Sequence, residues 1–127
     1  MTVRQRSAVA LAAAAVVAAT AWTTFVRTPA KPPARNLGAE VRAVFADKCA
    51  ACHGSAVAKP KGRFGYVDDL RRIADNPEMV VPGEPDQSEL LTLVEHDEMP
   101  PADAPDGPLS AAERQSIRAW IAAGAPP

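Results

Sequence analysis

Apolar positions along this chain fall into blocks with helical spacing, and each block predicts one element. The first block is the uncharged run Ser7–Val26, rich in Ala and Val. After a proline-rich stretch, Leu37, Val41, Val44 and Phe45 share one helical face and predict a helix from Leu37 to Cys52. Asn36 serves as its N-cap and Gly54 as its stop. Val67, Leu70, Ile73 and Ala74 stripe a second helix, Tyr66–Ala74, which Asn76-Pro77 ends. Asp86 precedes Glu89 by three positions, a capping-box-like start for a helix through Val94 with Leu90, Leu91 and Val94 inward. Ser110 and Glu113 form a clearer capping box, opening Ala111–Ala123 with Ile117, Trp120 and Ile121 buried and Gly124 at its end. No strand pattern and no internal repeat emerge, so the expected fold class is all-α.

The N-terminal run adds a compartment. Arg4 and Arg6 precede 20 uncharged residues, the signature of an export leader. Ala19-Thr20-Ala21 is a small-x-small cleavage site, which predicts a signal peptide over residues 1–26. The same run is long enough to span a bilayer, with Trp22 and Phe25 at interfacial positions, which predicts a retained anchor over residues 7–26. Both readings send the rest of the chain across the membrane, to a periplasmic location, free or tethered to the inner membrane. Arg4 and Arg6 are not adjacent, which weakens a twin-arginine signal. Residues 27–35 form a linker in which three prolines favour an extended polyproline spacer. The folding unit is expected at 36–127.

Charge changes the picture of partners. The whole chain carries a net −1, but residues 36–127 hold 9 basic and 15 acidic side chains, a net of −6. Phosphate binding needs clustered Lys and Arg, so a nucleic-acid partner is excluded. An acidic domain fits steered encounter with a basic protein surface. Aromatic residues make up only 5% of the chain, a thin supply of core that a large apolar cofactor would supplement.

The candidate chemistry sits at Cys49-Ala50-Ala51-Cys52-His53, a C-x-x-C-H pattern for haem c attachment. Each thiol adds to one haem vinyl group to form a thioether. Two intervening residues on a helical turn place both sulfurs along one haem edge, and the next residue projects its imidazole under the iron. Three alternatives are weaker. A thioredoxin-like redox pair wants a strand before Cys49. A zinc site of Cys49, Cys52, His53 and His96 lacks the usual finger spacing. A Cys49–Cys52 disulfide would close a short, strained loop that stabilises little.

The opposite axial position has two candidates. Met99 lies in Glu98-Met99-Pro100-Pro101, where prolines restrict the backbone and the neighbours are too acidic for core. His96 is the rival, giving a bis-histidine site of lower potential. Met79, followed by Val80 and Val81, fits packing better. His53 needs a carbonyl partner at its other ring nitrogen, with Pro60 and Pro82 as candidates. Lys61 and Arg63 are candidates for the haem propionates.

Together these residues resemble class I monohaem cytochromes c, and more closely the planctomycete-type cytochrome c domains. The resemblance rests on Phe45-x-x-x-Cys49-x-x-Cys52-His53-Gly54, on Val81-Pro82-Gly83-x-Pro85-x-x-Ser88-x-Leu90, on Met99-Pro100-Pro101 and on Leu109-Ser110 with Trp120-Ile121-x-x-Gly124-Ala125. It spans about Ala43 to Ala125. It implies a small cytochrome c-like helical domain around one covalent haem, with the first and last helices crossing. It also implies His53 and Met99 as axial ligands to the iron and electron transfer as the role. Such domains often sit in larger proteins, whereas this sequence stops at Pro127, so a free-standing carrier or small tethered subunit is expected.

The expected function is therefore a periplasmic or membrane-tethered one-electron carrier with no catalytic residues of its own. The alternatives are a haem-bearing subunit of a membrane oxidoreductase, or a small-ligand or peroxide-reactive haem domain with a labile Met99.

Overall fold

A computed structural model describes residues 35–127, and among them every regular element is helical. The signal or anchor over 1–26 and all of the linker before Arg35 lie outside the described residues. Helix α1 covers Leu37–Lys48. The Asn36 carboxamide accepts the Ala39 N–H at 3.0 Å, satisfying one of the free donors at the helix start. Glu40 in its first turn and Lys48 in its last both suit the helix dipole.

The expected helix 37–52 is two elements, not one. Cys49 leaves the helical region at φ −123°, and a separate turn α2 runs Ala50–His53. The Cys49 carbonyl accepts both Cys52 N–H (3.2 Å) and His53 N–H (2.9 Å), which closes α2 on itself. The fully buried stripe of α1 ends at Phe45, and beyond Lys48 the chain packs on the core only through the half-buried Cys49 and Ala50.

Helix α3 covers Leu70–Ala74 and starts four residues later than the apolar stripe suggests. Val67 N–H is already bonded to the His53 carbonyl at 2.9 Å, and the Asp69 carboxylate caps Arg72 N–H at 3.0 Å. Both contacts exclude Tyr66–Asp69 from the helix. A 3-10 turn, Pro85–Gln87, and helix α4, Glu89–Glu95, replace the expected start at Asp86. The Asp86 carboxylate does not cap; it pairs with Arg118 at 2.7 Å. Ser88 is the N-cap residue of α4, but its buried hydroxyl bonds Val81 N–H and the Glu84 carbonyl instead, pinning the preceding turn.

Helix α5 spans Ala111–Ala122 and carries the predicted capping box in both directions: Glu113 N–H to Ser110 Oγ at 3.2 Å, Ser110 N–H to Glu113 Oε2 at 2.6 Å. Gly124 ends it at φ +90°, a conformation that suits glycine. Helices α1 and α5 pack together. Phe45 meets Trp120 edge-to-face with centroids 6.1 Å apart. The buried Trp120 indole donates to the Pro126 carbonyl at 2.7 Å. That bond draws the C-terminal residues over α1, where a Cβ on Gly38 would lie 2.6 Å from the Pro127 carbonyl oxygen. The core continues through Val41, Leu70, Ile73, Leu91, Ile117 and Ile121.

Candidate functional site

The break at Cys49 sets the position of α2. It turns the C-x-x-C-H segment away from the α1–α5 interface and towards the loop after α4. Two cavities open there, of ≈ 320 Å³ and ≈ 180 Å³. Cys49, His53 and Met99 line both of them. Cys52, Lys48 and Lys61 border the larger, with Pro100 and Pro101 opposite. The smaller is apolar, walled by Phe64, Val67, Met79, Leu90, Leu93 and Val94.

His53 is oriented by a partner that sequence reasoning missed. Its Nδ1 lies 2.8 Å from the Phe64 carbonyl, not from that of Pro60 or Pro82. A carbonyl oxygen only accepts, so Nδ1 carries a proton and Nε2 is the ring nitrogen left facing the cavities. The tight 3-10 turn Lys61–Arg63 delivers that carbonyl, with Gly62 at φ +62° and Arg63 at φ +58°. Phe64 also stands against the imidazole, centroids 5.5 Å apart. No residue type announces a backbone carbonyl, and only the glycine in this turn hinted at an unusual path.

Both cysteines are half-buried free thiols. Burial pushes the Cys49 thiol up to about 11, with the nearby Cys52 and Glu113 adding to the shift. That is the reverse of the depressed value expected of a redox-active or metal-binding thiolate. Among the described residues no three His, Cys, Asp or Glu side chains converge as a metal cluster, so the four-residue zinc arrangement with His96 does not assemble.

Among the described residues Met99 is the large apolar side chain left exposed, at 38%. The loop that carries it folds back on α4: the Leu93 carbonyl accepts Glu98 N–H at 2.9 Å and Met99 N–H at 3.0 Å. His96 ends α4, is exposed and lines neither cavity. Met79 is half-buried, packs on the core and also lines the smaller cavity. Of the two basic candidates, Lys61 borders the larger cavity, whereas Arg63 faces a separate polar groove with Asn76 and Glu78.

Two further side chains, not singled out by sequence reasoning, brace the loop. Lys48 Nζ donates to the Asp106 carbonyl at 2.5 Å, and Arg114 bonds Asp97 and the Leu109 carbonyl. Both are long-range contacts from helix surfaces, where a basic residue carries no distinguishing pattern.

The chain was compared with protein families, curated proteins and solved structures. No curated protein and no solved structure matches it. The family model described as Planctomycete cytochrome C matches residues 49–103. Helices α1 and α5 lie outside that stretch, and α2, α3 and α4 lie inside it. From the first cysteine through the loop that bears Met99, the chain is similar to the planctomycete cytochrome C family.

Proposed function

We propose that this protein is a one-electron carrier with a single haem c, attached through Cys49 and Cys52 and ligated by His53 and Met99. The observation that carries the reading is that Cys49, His53 and Met99 together line two adjoining cavities, one of them almost wholly apolar. Two half-buried thiols on one turn and an imidazole oriented through Nδ1 fit the donor set such a group needs. When bound, the haem supplies a one-electron couple at its iron.

The chain's own residues do the rest. His53 is held in one orientation by the Phe64 carbonyl. Val67, Leu90 and Val94 keep water from one side. Met99 would hold such a group from the loop after α4, and a group held by both His53 and Met99 suits electron transfer over substrate chemistry. A thioether ligand raises the potential relative to a second histidine.

The domain works on the exported side of a membrane, where haem c attachment takes place, with residues 1–26 acting as signal or anchor. Among the described residues no helix is long and apolar enough to cross a membrane. Its redox partner presents a basic surface. Support for this comes from the net −6 of residues 36–127 and from the exposed Glu98, Asp103 and Asp106 flanking the loop.

The test is the far-red Met–Fe(III) charge-transfer band of oxidised, haem-loaded protein. It is expected in the wild type and absent in Met99→Ala. Its persistence in Met99→Ala overturns Met99 as ligand.

The exposure of Met99 favours one second reading, in which the thioether leaves readily and the iron binds a small ligand. Ready carbon monoxide binding by the ferrous protein at neutral pH supports that reading, and refusal supports the carrier.

A further inference from the structure

We infer that Arg114 is a positioning residue that clasps the Met99 loop shut; the inference rests on Met99 being the distal ligand. A single guanidinium nitrogen, Nη2, reaches both ends of the loop. It donates to Asp97 Oδ1 at 2.5 Å and to the Leu109 carbonyl at 3.0 Å. Asp97 lies two residues before Met99, and Leu109 is the buried residue that leads into α5.

Three observations support a positioning role over a merely decorative ion pair. Arg114 Nε is buried with no hydrogen-bond partner, so the side chain is drawn into the protein, not splayed over it. Asp97 sits at φ +59°, a left-handed turn that aspartate adopts more readily than most residues and that sets the direction in which the loop leaves α4. Finally, α5 is anchored in the core through Ile117, Trp120 and Ile121, giving the clasp a rigid base.

The functional consequence is an equilibrium. Met99 on the iron is the closed state; Met99 swung out is the open state. An external ligand competes for the open state alone, so its apparent dissociation constant falls in proportion as that state becomes more populated. Losing this partly exposed charged bond raises the open population about two- to fivefold.

The experiment is an imidazole titration of the oxidised, haem-loaded protein, followed in the visible spectrum. Arg114→Ala and Asp97→Asn are each expected to tighten imidazole binding about two- to fivefold, and the double variant is expected to add nothing to Arg114→Ala. Arg114→Lys is expected to restore most of the wild-type affinity. Arg118→Ala, on the same helix but paired with Asp86 and Glu95, is expected to leave imidazole affinity unchanged while lowering thermal stability. If Arg114→Ala does not accumulate with haem, the exposed Asp97→Asn carries the test alone. Wild-type affinity in Asp97→Asn and Arg114→Ala, with tighter binding in Met99→Ala, overturns the clasp and leaves the ligand assignment standing. No tightening in Met99→Ala overturns the ligand assignment, and the clasp with it.

Discussion

His53 and Phe64 are joined by a 2.8 Å hydrogen bond from an imidazole N–H to a backbone carbonyl eleven residues on. This bond ties the turn after α2 to the segment that bears the candidate proximal ligand. It fixes which nitrogen faces the cavity. A replacement at Gly62, where φ is +62°, disturbs the turn that presents the carbonyl. Gly62→Val is expected to cost about 1–2 kcal/mol of stability and to shift the His53 Nδ1–H resonance. A chemical-denaturation series and a proton NMR spectrum check the two halves of that expectation.

The distal side separates its two candidates cleanly. Met99 lines both cavities and His96 lines neither. His96→Ala is therefore expected to leave the spectrum and reduction potential of the haem-loaded protein unchanged. Met99→Ala is expected to lower the potential and to admit carbon monoxide. A shift in potential on replacing His96 would move the ligand assignment to that residue.

The α1–α5 contact predicts where stability resides. Trp120 is fully buried, packs edge-to-face on Phe45 and bonds the Pro126 carbonyl. Trp120→Ala is expected to cost about 3–5 kcal/mol, and Phe45→Ala a similar amount. Because the rings touch, the double variant is expected to cost less than the sum. Urea unfolding of the haem-loaded proteins measures all three.

The capping box of α5 makes a prediction about acid. Glu113 accepts the Ser110 backbone N–H, and that bond first, with the Ser110 hydroxyl second, holds its carboxyl below the ordinary glutamate range. A depressed folded-state value means its stabilising contribution is present above the unfolded value, near 4.5. The contribution is lost as pH falls through the lower, folded-state value. Ser110→Ala is expected to cost about 1 kcal/mol at neutral pH. Glu113→Gln is expected to flatten stability against pH over that acidic window. Thermal midpoints measured from neutral pH down to mild acid test the slope.

Much of this was legible in the sequence where the signal is local. The Ser110–Glu113 box, the Asn36 cap and the glycine after α5 each involve residues a few positions apart, so pattern and geometry coincide. The break at Cys49 was not legible. Alanine and cysteine permit a helix, so no local residue type marks the break. The late start of α3 was hidden for a related reason: Val67 is bonded to His53, fourteen residues back, and no periodicity records that. At the site, Cys49, Cys52, His53 and Met99 were all named from sequence. Phe64, Lys48 and Arg114 were missed, since one acts through its backbone and the others reach across the fold.

The central claim is one haem bound covalently at Cys49 and Cys52. Its most direct test is the intact mass of protein purified from the exported fraction, after acidified organic extraction that strips non-covalent haem. The expected result is a polypeptide mass raised by one haem that survives extraction and is lost in the Cys49→Ala, Cys52→Ala double variant. A bare polypeptide mass after extraction, with both cysteines intact, would contradict it.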